Sequence, residues 1–152
     1  MILYLLSALA CLAGAAVIGV RGLRRKIAVV TVRGVSMHPA LHAGDRLLIR
    51  RARADQLRTG QIVIIERSAR EGRPASWPPV GQEWMIKRLA ALPGDPTPAP
   101  MFSAPAHGAE PVVPAGKLVV LGDNAARSLD SRVLGYIPAE RVLGIMIRTL
   151  PS

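Results

Sequence analysis

The sequence has few aromatic residues and a single cysteine. Phe, Trp and Tyr make up 3 % of its 152 residues, so the stacking platforms that bind single-stranded nucleic acid are nearly absent. No zinc-ligand spacing or groove-reading helix pattern is present, and we therefore expect no nucleic-acid partner. Cys11 has no second cysteine to pair with. An intrachain disulfide is excluded, and cysteine usage does not indicate the compartment.

The sequence also lacks a metal-ligand cluster. His38 and His42 are four residues apart, but Pro39 lies between them and no carboxylate or cysteine cluster is near. We interpret both histidines as turn residues and His107 as a loop residue. The sequence thus predicts no metal and no cofactor.

Acidic residues are half as numerous as basic ones, 10 against 20, which gives a formal net charge of +10. All the basic residues follow position 20. A segregated positive charge favours nucleic acid or anionic lipid as a neighbour, and the shortage of aromatic residues leaves membrane lipid as the better interpretation. The length suits one domain with a modest core, and the sequence does not indicate an oligomeric state.

Residues 1–20 contain no charged side chain, and about 20 apolar residues suffice for a helix to cross a bilayer. A cleaved signal peptide and a buried core helix are the alternatives, but the run lacks the basic start of a signal peptide. We predict a transmembrane anchor over 1–20, a basic juxtamembrane linker over 21–27 and a folded domain over 28–152.

The folded domain is predicted to be mainly β and mostly antiparallel. Short runs rich in β-branched residues are separated by Gly, Pro and Asp, which is typical of strands and turns. The predicted strands cover residues 28–32, 46–50, 61–65, 83–92, 117–121 and 141–147. Residues 93–116 contain seven prolines and are predicted to form an extended loop, for which a role as a functional lid stays open.

Two polar residues stand out against this pattern. Ser36 follows Gly34 and precedes Pro39, which suits a hydroxyl held out at a bend but is also an ordinary turn sequence. Lys87 falls on an otherwise apolar strand face. If Lys87 is buried, its amine is favoured in the neutral form and can act as a base. The alternative is a lysine at a strand edge that prevents pairing with another strand or extends its amine into solvent. A serine with a lysine base is a known catalytic pair.

A third stretch, residues 122–135, is dense in Asp, Asn, Ser and Arg directly after a strand. It is interpreted either as a solvated turn with a surface ion pair or as a rigid loop that orients the lysine.

Four blocks, in this order, resemble the type I signal peptidase family of membrane-anchored Ser–Lys proteases. They are SMHPAL (36–41), GDRLL (44–48), MIKRL with LPGD (85–89 and 92–95), and LGDN with SLDSR and a glycine (121–135). Together they span most of residues 34–144, and the resemblance implies a compact β catalytic domain of signal-peptidase type behind the anchor.

The resemblance implies a role for particular residues. Ser36 is expected to be the nucleophile, with its N–H as an oxyanion donor, and Lys87 the general base. Ser128 is expected to orient the lysine amine, and Asp130 and Arg132 to pair and hold that loop. Four residues are expected to line the pocket for small substrate side chains: Met37, Leu41, Met85 and Ile86.

The sequence departs from the family pattern at residues 125–127, where AAR replaces the usual Arg-Asp-Asn. The resemblance places the catalytic domain on the outer face of the cell membrane as a single-pass protein. The basic residues that follow the anchor instead favour a cytoplasmic position for the part of the chain after it. We expect the catalytic domain to lie on the outer face.

The sequence therefore predicts a membrane-bound serine endopeptidase that removes leader peptides after small residues, with no cofactor. Within proteases, it is compatible with a dedicated enzyme for one precursor or a self-cleaving repressor-type protein, though the anchor argues against the latter. The non-enzymatic alternative is a tethered basic β module that binds anionic lipid or an acidic partner through Arg46, Arg50, Arg51 and Arg53.

Overall fold

The computed structural model describes residues 26–67, 79, 84–99 and 111–151. Strands in this part of the chain are β1 (Ile27–Thr31), β2 (Arg46–Arg51), β3 (Ile62–Glu66), β4 (Trp84–Ala91), β5 (Lys117–Leu121), β6 (Ile137–Pro138) and β7 (Val142–Leu150). A one-turn helix, α1 (Ser131–Leu134), and three 3-10 turns at Ala54–Gln56, Ala125–Arg127 and Ala139–Arg141 connect them.

The predicted anchor over residues 1–20 lies outside the described residues, as does most of the linker that follows it. Among the residues that are described, no helix is long and apolar enough to cross a membrane.

The strands form one sheet in the order β1-β2-β7-β3-β4-β5-β6, with antiparallel pairing throughout. The prediction of a mainly antiparallel β domain is confirmed. Each predicted strand is present, and its ends lie within three residues of the predicted ends. The structure adds β6, which was not predicted because two residues are too few to show a strand pattern.

Both faces of the central strand β3 are buried. Val63 and Ile65 point into one apolar cluster with Leu89, whereas Ile64 points into a second cluster with Ile86. Side chains alternate between faces along a strand, so a continuous apolar run such as residues 62–65 belongs to a strand that is covered on both sides.

Register shifts interrupt the pairing of β2 with β7, of β3 with β7 and of β4 with β5. Such irregularities bend a strand and increase its local twist. The proline-rich loop is held at its base, where Pro96 pairs with Val112 and Val113 packs in the core against Ala91.

Candidate active site

Ser36 lies on a turn between β1 and β2 whose far side is anchored in the core. Met37 and Leu41 are each 2 % exposed, and the Leu41 N–H donates to the Met37 carbonyl at 2.9 Å. Gly34 has a φ of 80°, a left-handed conformation that glycine adopts without strain. The two buried side chains fix the turn and leave the partly exposed Ser36 at the surface.

Lys87 lies on β4 directly opposite Val63 of β3 and is 3 % exposed. Its Nζ donates a hydrogen bond to Ser36 Oγ at 2.9 Å. Burial lowers the pKa of Lys87 from its ordinary value; nearby Asp130 opposes this change, and the positive charges of Arg132 and Arg67 add to it. The structure thus brings together the two residues that the sequence singled out, with an amine biased toward its neutral form.

Residues 122–135 form the polar loop, and Asp130, at its centre, is fully buried. Its carboxylate accepts hydrogen bonds from the Gly122 N–H at 2.8 Å and from the Arg132 guanidinium at 2.6 and 3.0 Å. Burial alone acts to raise the pKa of Asp130, but the hydrogen bonds, above all that from Arg132, hold it below its ordinary value. The loop is therefore held from inside by a charged pair.

The loop also contacts the serine turn through its backbone. The Asn124 N–H donates to the Ser36 carbonyl at 3.0 Å. A Cβ added at Gly122 would lie 2.1 Å from Ser128 Oγ and 2.7 Å from the same Ser36 carbonyl. Ser128 Oγ is buried and has no hydrogen-bond partner among the described residues.

Sequence reasoning assigned no role to Gly122 or Asn124. Their contribution is backbone contact, which no side-chain pattern reveals. Arg88 makes a side-chain contact to the same loop: its guanidinium binds Asp123 at 2.7 and 2.9 Å and also the Gly60 carbonyl at 2.9 Å. It ties β4 to the start of the polar loop.

A cavity of about 270 Å³ opens beside the Ser36–Lys87 pair. Of the predicted pocket residues, Met37, Met85 and Ile86 line it. Leu41 is placed in the core cluster with Ile64 and Leu143 instead of on the cavity wall. Such a pocket, walled by apolar side chains beside a hydroxyl and an amine, suits a small apolar group next to a bond under attack.

Among the described residues, the first half of β4 is paired on one side only, and it lies at this cavity. Residues 84–88 pair with β3, but pairing with β5 begins only at Arg88. Within the described residues, the β5-facing side of Trp84–Lys87 therefore has no strand partner. An extended peptide can add to an edge of this kind through main-chain hydrogen bonds.

The sequence profile of the family described as "Signal peptidase, peptidase S26" matches residues 3–100 and 98–149. This chain belongs to that family, and family membership implies peptidase activity.

Its relatives include signal peptidase I of Bacillus licheniformis, 32 % identical over 142 residues, which cover 74 % of this chain and 70 % of the relative. Signal peptidase I T of Bacillus subtilis (strain 168) is 31 % identical over 142 residues, or 74 % of this chain and 68 % of the relative. Probable signal peptidase I-2 of Synechocystis sp. (strain ATCC 27184 / PCC 6803 / Kazusa) is 31 % identical over 127 residues, 72 % of this chain and 56 % of the relative.

Proposed function

We propose that this protein is a membrane-bound serine endopeptidase that removes leader peptides from precursor proteins after small residues. The observation that carries the proposal is the hydrogen bond of 2.9 Å between Lys87 Nζ and Ser36 Oγ. It supplies a nucleophile and a base within transfer distance.

In the proposed reaction, the neutral Lys87 amine takes the proton of the Ser36 hydroxyl as Oγ attacks the carbonyl carbon of the leader's last residue. The intermediate carries a negative oxygen, for which the Ser36 N–H is available because it donates to no group among the described residues. Lys87 then protonates the leaving amine, and an ester on Ser36 remains. A water molecule then attacks the ester carbonyl and gives a proton to Lys87; Lys87 passes this proton to Ser36 Oγ as the leader leaves with a free carboxyl group, which restores Ser36 and the neutral amine.

Ser128 is proposed to orient the lysine amine. Its buried hydroxyl is held by a loop that also contacts the Ser36 carbonyl. Asp130 and Arg132 act on this arrangement through the loop, because their ion pair of 2.6 Å binds the Gly122 backbone on both sides.

The leader is proposed to lie extended along the free edge of Trp84–Lys87. Main-chain pairing there selects no sequence, so preference for a small residue comes from the walls of the cavity, where Met37, Met85 and Ile86 limit its size. We further propose that residues 1–20 anchor the protein with the catalytic domain on the outer face of the membrane.

The test compares new protein N-termini in cells that carry the wild type, Ser36→Ala or Lys87→Ala. Thr31→Ala and Lys117→Ala serve as matched controls, since Thr31 is an exposed hydroxyl residue of β1 and Lys117 lies on β5 away from the cavity lining. We expect cleavages after small residues to disappear in both site variants and to persist in both controls.

The number of lost cleavages separates general processing from maturation of one precursor. If the site variants are as well folded as the controls and their N-termini match those of the wild type, the peptidase mechanism is wrong. The tethered basic module would then be the better account of the chain.

A further inference from the structure

The lining of the cavity includes three arginines in addition to Lys87. Arg33, Arg67 and Arg127 all line it and all are exposed, and none of the described residues that line it is acidic. A concave site lined by one sign of charge concentrates ligands of the opposite sign.

These cavity arginines have no carboxylate partner in the described part of the chain. The arginine ion pairs there are those of Arg53, Arg88 and Arg132. The guanidinium groups at the cavity are thus available to a bound molecule without the loss of an internal ion pair among these residues.

The backbone holds two of the cavity arginines in place. Arg141 binds the Glu66 and Arg67 carbonyls, the latter at 2.6 Å, and so fixes the chain at the end of β3. The Arg127 N–H donates to the Asn124 carbonyl at 3.1 Å, and the Asn124 N–H in turn donates to the Ser36 carbonyl at 3.0 Å. Arg127 is therefore tied to the reactive end of the cavity.

Arg67 lies directly after the end of β3. It follows Glu66, which pairs with Trp84, whereas Lys87 is three residues further along β4. At about 3.3 Å per residue, an extended peptide covers the distance from Lys87 to Trp84 with about three residues. Arg33, in the chain segment after β1, is the third of the cavity arginines.

We propose that these arginines make the enzyme selective for leader segments with an acidic side chain within about four residues of the cleaved bond. The inference rests on the proposed function and narrows its substrate class. A carboxylate there meets a guanidinium, and a charge-assisted hydrogen bond is stronger than one between neutral groups. A lysine at the same position meets a like charge.

The test uses the purified full-length chain in neutral detergent. The peptides share an apolar leader and an Ala-x-Ala cleavage site and differ only in one flanking residue, which is Glu, Gln or Lys. We expect kcat/KM for the best-placed Glu peptide to exceed that for its Lys counterpart by about ten-fold at low salt, and the ratio to shrink at high salt.

Alanine at all three positions, Arg33, Arg67 and Arg127, is expected to bring the ratio close to one. Arg148→Ala is the control, because Arg148 is exposed on β7 and does not line the cavity. Binding of the same peptides to Ser36→Ala gives a second readout that does not depend on cleavage and is expected to show the same order.

Each alternative result has a distinct meaning. Equal cleavage of all peptides by the wild type, abolished in Ser36→Ala, overturns the charge selectivity and leaves the peptidase intact. A preference that survives the triple variant overturns the assignment to these arginines. If the triple variant keeps the preference and loses binding to phosphatidylglycerol vesicles, the arginines face lipid instead. Cleavage of no peptide, or cleavage independent of Ser36, overturns both proposals.

Discussion

At Gly122, the space for a single methyl group is already occupied. A Cβ there would lie 2.1 Å from Ser128 Oγ and 2.7 Å from the Ser36 carbonyl, so either the polar loop or the serine turn has to move. Because a displacement of about 1 Å at a reacting group costs about 100-fold in rate, we expect Gly122→Ala to lower kcat by about that factor. Steady-state cleavage of a leader peptide measures it.

Ala126→Ser is the control for Gly122→Ala, since Ala126 is exposed on the same loop. The control is expected to keep wild-type kcat and thermal midpoint. If Gly122→Ala retains full kcat, close contact of the loop with the serine turn is not required for catalysis.

The protonation of Lys87 predicts how cleavage depends on pH. In the proposed mechanism only the neutral amine accepts the serine proton, and burial lowers the pKa of Lys87 from its ordinary value. We expect kcat/KM to increase with pH up to this lowered pKa and then to level off. Lys87→Arg retains a positive charge but keeps its proton at all these pH values, and it is expected to be inactive throughout.

The same group predicts how stability depends on pH. Between the lowered pKa of folded Lys87 and the unfolded value of about 10.4, the unfolded chain binds more protons than the folded one, so the free energy of unfolding rises with pH. Lys87→Met removes this dependence. We expect the variant to be more stable than the wild type below the folded pKa, and this advantage to diminish as the pH approaches 10.4. Urea unfolding over this range measures the difference, and a pH-independent difference would contradict burial of the ionisable amine.

At the level of elements, the polar loop after β5 depends on Asp130. Asp130→Asn keeps the size of the side chain but leaves the Arg132 guanidinium and the Gly122 N–H with a weaker partner. Breaking a buried ion pair is strongly destabilising, and since Arg132 is 24 % exposed, we expect a smaller loss of about 2 kcal/mol. Denaturant unfolding at neutral pH measures it.

Asp55→Asn is the matched control, because the Asp55 side chain is 73 % exposed in its ion pair, and it is expected to leave stability unchanged. The pKa of Asp130 is lowered in the folded state, so its contribution is present above the unfolded value of about 3.9 and is lost as the pH falls through the folded pKa. The difference between the wild type and Asp130→Asn should therefore disappear in acid. If the stability difference persists in acid, the shape of the Asp130 side chain and not its charge stabilises the loop.

The sequence predicted strands better than it predicted contacts between loops. Residues 62–65 form an apolar run between turn residues, and the run alone indicates a buried strand. The alternation along β4 also placed Lys87 on an apolar face, where it lies opposite Val63. By contrast, the contact of Gly122 with the Ser36 carbonyl joins residues 86 positions apart through backbone atoms. No periodicity encodes such a contact, and only the folded sheet brings the two loops together.

On the scale of the whole molecule, the chain enters the domain beside a basic edge. The Arg51 N–H donates to the Lys26 carbonyl at 2.7 Å, so the start of β1 lies next to the end of β2, where Arg50, Arg51 and Arg53 follow closely in sequence. Each basic residue near an anionic leaflet contributes about 1 kcal/mol of attraction. This edge is suited to face the headgroups if residues 1–20 form the anchor that the sequence predicts.

If residues 1–20 form the predicted anchor, the side of the membrane on which the domain lies depends on which of two influences dominates at the anchor. The basic residues after it favour the cytoplasm, whereas removal of leaders from exported precursors requires the outer face. Because Cys11 is the single cysteine, Cys11→Ser gives a background in which one introduced cysteine reports its own location. In that background we expect Ala54→Cys, on an exposed turn, to react with a membrane-impermeant thiol reagent in intact cells.

Ala52→Cys is the matched control, because Ala52 is two residues away but 6 % exposed and should react only after denaturation. Since both variants share the same side of the membrane, a difference between them reports the burial of Ala52 within the domain, whereas the reaction of Ala54→Cys in intact cells reports the side on which the domain lies. If Ala54→Cys reacts only after the cells are opened, the flanking charges determine the orientation. The substrate of the Ser36–Lys87 pair would then be a precursor that is cut before it leaves the cytoplasm.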